Sequence, residues 1–114
     1  MKDCIFCKIV SGEIPSKKVY ESENVLAFDD IQPVAPAHVV IVPKRHIAGL
    51  MDVNKDESDV FSDLFTAVQE VARLKGIAET GFRTVINTNK EGGQVIFHLH
   101  VHVFGGRQIK MELE

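Results

Sequence analysis

The sequence predicts an α+β fold in which an antiparallel sheet of roughly five strands packs with one long helix. Short runs of β-branched and aromatic residues separated by turn residues are typical of strands joined by hairpins. Residues 54–77 instead have apolar side chains near helical spacing, which indicates an amphipathic helix. The chain of 114 residues is short enough to form a single domain.

The elements follow in chain order from the same signals. Short β-branched runs predict strands at residues 19–20, 24–29, 38–42, 82–87 and 98–103. Helical structure is predicted as a short N-terminal turn, a short turn after Pro43 and the long helix, at residues 4–10, 44–50 and 54–77. Asp56 and Ser58 are plausible N-caps of the long helix. Loops are predicted at residues 32–36 and 88–94, and Gly105-Gly106 ends the last strand.

The charge and hydropathy of the chain argue against several classes of function. Lys and Arg number 13 against 16 Asp and Glu, a formal net charge of −3, whereas a sequence-independent nucleic-acid binder needs a basic surface. No apolar run approaches the ~20 residues that span a bilayer, and the start Met1-Lys2-Asp3-Cys4 lacks a signal-peptide core. We therefore expect a cytoplasmic protein without nucleic-acid or membrane partners, whose two cysteines are not in a structural disulfide.

Three of the five histidines alternate with apolar residues in the run His98-Leu99-His100-Val101-His102-Val103. In a strand, side chains at i, i+2 and i+4 lie on one face, so the three imidazoles would form a row and the apolar residues would face the core. Imidazole is the side chain best suited to nucleophilic attack, proton transfer or metal ligation near neutral pH. The row therefore predicts a catalytic site or a metal site.

His100, at the centre of the row, is a candidate nucleophile. One nitrogen of an attacking imidazole must be unprotonated, and an acceptor for the other N–H fixes the tautomer and stabilises the developing positive charge. His98 and His102 would flank a phosphate, because phosphoryl chemistry depends on positioning and charge neutralisation. Gly92-Gly93 permits close approach of the backbone to an anion. Further candidate donors are Asn87, Gln94 and His38.

The pair Cys4-Ile5-Phe6-Cys7 is a second possible site. A C-x-x-C pair alone is compatible with redox chemistry or with zinc. A redox pair usually lies in a thioredoxin-like βαβ pattern, which is not visible here, and zinc needs two further ligands, for which His46 and His98 are available. Two free buried thiols are the remaining interpretation.

The triad run together with Phe104 resembles the motif of the histidine triad (HIT) family, His-x-His-x-His followed by apolar positions. Earlier segments resemble other blocks of that family, at residues 5–10, 13–15, 26–31, 36–38 and 42–47. Gly92-Gly93-Gln94 before the triad and Gly105-Gly106-Arg107 after it are similar to the Hint branch, the nucleotide-binding phosphoramidases. The resemblance covers nearly the whole chain.

The resemblance implies one HIT domain over residues 1–114, with a HIT-like fold whose sheet joins that of a partner in a homodimer. It implies a nucleotide-binding hydrolase that cleaves the P–N bond of purine nucleoside 5′-phosphoramidates. His100 matches the nucleophile, which forms a transient nucleotidyl-histidine from which water releases the nucleoside monophosphate. The supporting catalytic histidines match His38, His98 and His102.

The resemblance also implies the nucleotide and metal contacts. Apolar walls around the base match Ile5, Phe6, Ile9, Phe28 and Ile31. Asp30 matches the carboxylate that accepts hydrogen bonds from the ribose hydroxyls. Positions near the phosphate match Asn87, Gly93, Gln94, Val95, His100 and His102. A structural zinc ion, not required for the chemistry, is implied for Cys4, Cys7, His46 and His98.

The sequence departs from the Hint pattern in two places. Val95 stands where Hint proteins commonly have a serine that contacts the phosphate side or the leaving group. The tail from Gln108 lacks the aromatic, proline-rich ending of some members. His102, in contrast to a glutamine at this position, favours a hydrolase over the nucleotidyltransferase branch of the superfamily.

Alternative functions stay open at this point. A dinucleoside polyphosphate hydrolase, as in the Fhit branch, is one, and the ending Gly105-Gly106-Arg107 argues against it. A non-catalytic module that holds nucleotides or a partner protein is another. Zinc as the catalytic group is disfavoured, because two cysteines and two histidines fill all four positions of a closed site.

Overall fold

The computed structural model describes residues 3–112. These residues form strands β1 (Lys18–Glu21), β2 (Val25–Asp29), β3 (Ala37–Pro43), β4 (Phe82–Val85) and β5 (Val101–Gly105). They also form helices α1 (Ile5–Val10) and α2 (Asp59–Leu74), with 3-10 turns at Leu50–Asp52, Lys55–Glu57 and Lys90–Gly92. Within this range, no helix combines the length and the apolar character that crossing a membrane requires.

The strands form one sheet in the order β1-β2-β3-β5-β4, and every neighbouring pair is antiparallel. The α+β class with a five-stranded antiparallel sheet is thus confirmed. In the central ladder, Val40 of β3 lies opposite His102 of β5, and His38 lies opposite Phe104. Since His38 and Val40 are two residues apart on one strand, this register brings His38 and His102 to the same face.

Each face of the sheet packs against a different helix. On one face, α2 covers a core that includes Val39, Ile41, Val101 and Val103. On the other, which we call the α1 face, Phe6 and Ile9 of α1 pack against alternate residues of β2 and β3, namely Leu26, Phe28, Val40 and Val42. Because β2 and β3 are buried on both faces, their sequences are nearly continuous apolar runs, whereas β5 keeps the alternating pattern.

The long helix starts later than residue 54. A 3-10 turn comes first, in which the N–H of Asn54 donates to the carboxylate of Glu57 at 3.1 Å, and α2 follows from Asp59. Ser58 occupies the N-cap position of α2, but its side chain makes no capping hydrogen bond, and Asp56 lies inside the turn. The prediction of Asp56 or Ser58 as a side-chain cap is therefore wrong, because Asn54 and Glu57 cap the preceding turn instead.

The helix ends at Leu74 and not at Ile77, because Gly76 takes a left-handed conformation with φ +70°. The N–H of Ile77 donates to the carbonyl of Ala72 at 3.0 Å, and the N–H of Gly76 donates to the carbonyl of Arg73 at 3.1 Å. This pair of bonds satisfies carbonyls that the helix end would leave free.

The predicted helical turn at residues 44–50 is wrong. The backbone carbonyls there accept hydrogen bonds from elsewhere in the chain: Ile47 accepts from the N–H of Leu99 at 2.7 Å, and Ala48 accepts from the Gln94 amide at 2.8 Å. These bonds to residues 94 and 99 satisfy two carbonyls of the segment and hold its backbone against the loop that precedes β5. Residues 44–49 are irregular, and a 3-10 turn begins only at Leu50.

The prediction that all three triad histidines lie in one regular strand is also wrong. β5 begins at Val101, and β4 ends at Val85 rather than at residue 87. The His98 carbonyl accepts from the ring of His100 at 2.7 Å, and the Leu99 N–H donates to Ile47, so both groups are unavailable to the sheet. The side chains still alternate, since Leu99, like Val101, is buried in the α2 core.

We expect Gly106→Ala to destabilise the fold by about 1–3 kcal/mol, from left-handed strain together with a steric overlap. Gly106 has φ +93°, and an added Cβ would lie 2.9 Å from Cβ of Pro36. Gly12 is a matched control, because its φ is +85° but an added Cβ would meet nothing within 4 Å. Urea unfolding of both variants should show a clearly smaller loss for Gly12→Ala; equal losses would contradict the steric part of this argument.

Candidate active site and metal centre

The α1 face of the sheet gathers all four predicted catalytic histidines. His38 lies on β3 and His102 on β5, while His98 and His100 lie in the extended segment that leads into β5. The rings of His100 and His102 are 5.1 Å apart between centroids, and Phe6 of α1 contacts both His98 and His100. The row of imidazoles predicted from the alternation is therefore present, although only its last member belongs to the regular strand.

The hydrogen bonds of His100 fix its tautomer. Its Nδ1–H donates to the carbonyl of His98 at 2.7 Å, so Nε2 is the unprotonated nitrogen of the neutral ring. The residue is only 6% exposed, and this burial lowers the pKa of its imidazole from the ordinary value of 6.5. The hydrogen bond to the carbonyl of His98 raises the pKa but does not outweigh the burial. A neutral ring with a fixed donor on one side and a free nitrogen on the other has the form that a nucleophilic imidazole requires.

His38 and His102 form a second hydrogen-bonded unit. The N–H of Val34 donates to Nδ1 of His38 at 3.3 Å, which places the proton of the neutral ring on Nε2. That Nε2–H faces Nδ1 of His102 at 3.0 Å and Oδ2 of Asp30 at 3.4 Å. With Nδ1 as the acceptor, neutral His102 carries its own proton on Nε2, where it can donate to a substrate.

Burial keeps this histidine pair neutral near pH 7. Desolvation lowers the pKa of His102 from 6.5 to about 4, with smaller contributions from His100 and His38, whereas Asp30 acts in the opposite direction. Burial also lowers the pKa of His38. An anion bound beside these rings would favour their charged forms and so raise both pKa values.

The depressed pKa of His102 predicts an acid-labile fold. The unfolded state takes up the His102 proton near pH 6.5 and the folded state only near pH 4, so stability is full above pH 6.5 and is lost progressively as the pH falls towards 4. We expect a loss on the order of 1–2 kcal/mol from this residue, discounted for the partial exposure of its ring. Urea unfolding across this pH range tests the prediction. The free energy of unfolding should depend less steeply on pH in His102→Gln than in the wild type, and an equal dependence would contradict the prediction.

The predicted base-binding residues divide into two groups by exposure. Phe6, Ile9 and Phe28 are buried in the α1 face, at 7%, 9% and 5% exposure. Ile31 is 94% exposed and so makes almost no contact with residues 3–112, whereas Ile5 is 45% exposed and so about half covered. A cavity of about 620 Å³ opens beside Ile31, Asp30 and His38. Ile31 lines this cavity, and an exposed apolar side chain in a cleft that also contains charged groups is typical of ligand sites.

In the loop before the three histidines, the side chain of Gln94 is fully hydrogen-bonded within the described part of the chain, whereas that of Asn87 is not. Gln94 is 5% exposed, and its amide is fully engaged: it accepts from the N–H of Asn89 at 2.8 Å and donates to the carbonyls of Ala48 and Ile96 at 2.8 and 3.1 Å. A phosphate contact from Gln94 would require one of these bonds to be exchanged. The side chain of Asn87 makes no hydrogen bond with residues 3–112, so its amide is available to a ligand.

The end of the same loop is held in a sharp turn. Gly93 takes a left-handed conformation with φ +84°, and its N–H donates to the carbonyl of Lys90 at 3.0 Å. Val95, in the position where the sequence departs from the Hint pattern, is 85% exposed. Its isopropyl group is therefore presented to solvent next to the triad segment rather than packed into the core.

The second predicted cluster is also assembled. The sulfur of Cys4 lies 3.3 Å from Nδ1 of His98, and the sulfur of Cys7 lies 3.5 Å from the same nitrogen and 3.4 Å from Nδ1 of His46. All four candidate ligand atoms lie within 4.8 Å of one another, and neither cysteine is in a disulfide. Burial and the neighbouring Cys4 raise the pKa of the Cys7 thiol.

This donor set fits a tetrahedral zinc ion. Zn–S distances of about 2.3 Å and Zn–N distances of about 2.0–2.1 Å place sulfur and nitrogen ligands about 3.5 Å apart. Nε2–H of His98 donates to the carbonyl of Pro43 at 2.8 Å, which orients the ring and leaves Nδ1 facing the sulfurs. Such a backbone contact is the usual support of a metal-bound imidazole. Two sulfurs and two nitrogens make a closed, structural type of site.

Sequence reasoning missed three contributors to these sites. Phe104 stacks against His102 with ring centroids 5.6 Å apart and contacts His38 at 4.4 Å. Its position two residues after His102 was a usable signal, because both side chains lie on one face of β5. The N–H of Val34 and the carbonyl of Pro43 are backbone groups, which no residue pattern reveals.

Residues 11–109 match the sequence profile of the HIT domain. This chain belongs to the HIT family. A HIT relative, the purine nucleoside phosphoramidase of Escherichia coli K12, is 41% identical over 108 residues, which cover 95% of this chain and 91% of the relative. A histidine triad protein from Clostridium difficile is similar in structure, with a TM-score of 0.95 and 46% identity over 98% and 97% of the two chains. A HIT family hydrolase from Legionella pneumophila Philadelphia 1 gives a TM-score of 0.92 at 46% identity over 96% and 97%.

Proposed function

We propose that this HIT protein is a hydrolase of purine nucleoside 5′-phosphoramidates, which breaks the P–N bond through a nucleotidyl-histidine intermediate. The observation that carries the proposal is the hydrogen bond from Nδ1–H of His100 to the carbonyl of His98, which leaves Nε2 unprotonated in a buried row of imidazoles. The E. coli relative that is named a purine nucleoside phosphoramidase supports the choice of linkage.

The reaction has two steps in this proposal. Nε2 of His100 attacks the phosphorus and the P–N bond to the amine breaks. The departing amine nitrogen takes a proton from Nε2 of His102, which enters the step protonated on both nitrogens and leaves it neutral. Water then attacks the phosphorus, gives a proton to His102 and breaks the bond to His100. The carbonyl of His98 stabilises the positive charge on His100 during attack, because it accepts from the other ring nitrogen.

The nucleotide is held along the α1 face. Phe6, Ile9 and Phe28 supply buried apolar surface, and the exposed Ile5 and Ile31 enclose the base from its open side. Asp30, which lines the cavity, accepts hydrogen bonds from the ribose hydroxyls. The free amide of Asn87 donates to the phosphate, together with backbone of the turn at Gly93. The exposed Val95 lies against the leaving group and favours apolar amines over polar ones.

A side-by-side turnover assay tests this function. The purified protein is incubated with an amine-linked adenosine 5′-phosphoramidate, the guanosine analogue and a diadenosine polyphosphate, and release of nucleoside monophosphate is measured. We expect the phosphoramidates to be the better substrates and intact-mass analysis of a quenched reaction to detect protein carrying one nucleotidyl group. Preferred cleavage of the dinucleotide would indicate a polyphosphate hydrolase, and binding without any turnover would indicate a nucleotide-binding module.

The proposal includes a zinc ion on Cys4, Cys7, His46 and His98. When bound, the ion would supply no step of the reaction and would hold α1 against the segment that carries His100. His98 belongs to both units, because its ring faces the sulfurs and its carbonyl holds the His100 ring. Zinc is therefore expected to stabilise the fold and the position of the nucleophile.

The proposal also includes a homodimer in which two sheets join into one. Among residues 3–112, β4 is an outer strand of the sheet and pairs on one side only, with β5. A free strand edge is a ready surface for pairing with a second copy, and two-fold dimers are the commonest homo-oligomers. Sedimentation velocity is expected to give twice the 12.7 kDa chain mass, whereas a stable monomer across a range of concentrations would contradict the dimer.

A further inference from the structure

Asp30 lies close to the histidine network as well as to the cavity. Its Oδ2 is 3.4 Å from Nε2 of His38, while its Oδ1 accepts from the N–H of Gln32 at 2.8 Å. The side chain is 24% exposed, so water screens its charge only in part. A carboxylate that served the ribose alone would have no need of this approach to an imidazole.

The hydrogen bonds leave the Nε2–H of His38 with two acceptors. The N–H of Val34 occupies Nδ1, so the proton of the neutral ring must be on Nε2. That proton faces Nδ1 of His102 at 3.0 Å and the carboxylate of Asp30 at 3.4 Å. The same bond from Val34 disfavours a metal ion on this cluster, because a metal on Nε2 would leave the ring without a proton on either nitrogen.

Protonation of His102 changes this arrangement. To give a proton from Nε2 to the leaving amine and end as a neutral ring, His102 must first hold protons on both nitrogens. Its Nδ1 then no longer accepts from His38, and two N–H groups would face each other across 3.0 Å. The carboxylate of Asp30, which lies within 4.8 Å of the ligating nitrogens of both rings, is an anionic acceptor within reach.

We propose that Asp30 is a positioning residue for the acid His102: its carboxylate takes the hydrogen bond of His38 and balances the positive charge whenever His102 is protonated. The inference rests on the proposed phosphoramidase reaction. In that step the bond from His100 to phosphorus forms and the P–N bond breaks. The Nε2–H bond of His102 breaks at the same time, its proton bonds to the amine nitrogen, and His102 returns to its neutral form. Recognition of the ribose and control of the acid thus meet in one side chain.

The other charges around the pair do not replace Asp30. His100 faces His102 from the same row, and its charged form would oppose protonation of His102. Around the cavity that Asp30 and His38 line, Lys75 is paired with Asp29 at 2.7 Å, so these two charges largely cancel, and Lys17 would oppose protonation. Burial lowers the pKa of His38 and of His102, and Asp30 acts against that lowering in both.

The test crosses Asp30→Asn with removal of the ribose hydroxyls from the substrate. Asparagine keeps an oxygen for the N–H of Gln32 but loses the charge. On adenosine and on 2′,3′-dideoxyadenosine 5′-phosphoramidate alike, we expect kcat to fall roughly tenfold, as partial loss of a general acid implies. NMR titration of the metal-loaded protein should show a lower pKa for His102, and Asp30→Glu should recover part of both effects. Glu79→Gln removes an exposed carboxylate that does not line this cavity, and it should change neither.

A kcat deficit confined to the substrate with ribose hydroxyls would overturn the proposal, and so would an unchanged His102 titration. If the wild-type protein turns over no phosphoramidate, the proposed function fails on its own, and the NMR titration alone decides whether Asp30 controls His102. If Asp30→Asn does not fold, Asp30→Glu moves the carboxylate by one methylene. An altered His102 pKa in that variant supports the coupling and an unaltered one overturns it.

Discussion

Replacement of His100 with alanine is expected to lower kcat for phosphoramidate hydrolysis by at least about 10⁴-fold, the scale on which enzymes lose activity with their nucleophile. The variant lacks Nε2, and no other imidazole of the row can take its place. Nε2 of His98 is bonded to the carbonyl of Pro43, and His102 accepts from His38 through Nδ1, which leaves its Nε2 protonated. Steady-state release of nucleoside monophosphate by wild type and variant measures the effect.

Nucleotide binding separates loss of the nucleophile from loss of the site. The Kd for adenosine monophosphate, measured by calorimetry, should change much less than kcat, because the apolar walls and Asp30 remain in place. The His100→Ala protein should also yield no nucleotidylated species by intact mass. Phosphoramidate cleavage that persists in this variant would show that the nucleophile is another group.

Loss of the proposed zinc ion is the second change with a large expected effect. We expect about one zinc per chain in the purified protein and almost none in Cys7→Ser, because removal of one of four ligands opens a closed site. Stability should fall by about 4 kcal/mol, the stabilisation that mass action gives when free metal exceeds its Kd about 1,000-fold. Metal analysis and urea unfolding of the purified proteins measure both quantities.

The physical reason is that the proposed ion would tie α1 to the sheet. The helix has six residues, too few to be stable alone, and Cys4 and Cys7 lie at its start. Without metal its attachment to the sheet is reduced to the contacts of Phe6 and Ile9 in the α1 face. Lys8→Ser is the matched control, since it lies on the same helix outside the cluster. A wild-type protein with free thiols at both cysteines and no bound metal would contradict the assignment.

Alternation and turn residues were sufficient to predict most of the fold. Each of the five strands was predicted within a few residues, because β-branched runs bounded by Pro43 or by Gly105-Gly106 have few alternative conformations. The alternating burial around His100 was predicted as well. The N-terminal helix and the assembly of the cysteine–histidine cluster also agree with the structure.

The errors occurred where side chains or distant segments take over backbone hydrogen bonds. Local pattern indicated a helical turn at residues 44–50, but its carbonyls serve Leu99 and Gln94, which are about half the chain away. The strand at residues 98–103 starts late for a similar reason, since the ring of His100 occupies the carbonyl of His98. The Asp30 to His38 contact depends on the tautomer set by the N–H of Val34, and sequence carries no information on it.

The cysteine–histidine cluster joins residues that are far apart in the chain, with Cys4 and His98 separated by 94 positions. Such a contact closes a very long loop, and the entropy of that closure must be overcome before the ion can hold all four ligands. During synthesis the N-terminal cysteines leave the ribosome well before His98 does. We therefore expect α1 to dock late, after β5 has entered the sheet, so that a chain truncated before His98 has an incomplete zinc site. The order of synthesis thus delays assembly of the contacts that support His100 until residues up to 98 have emerged.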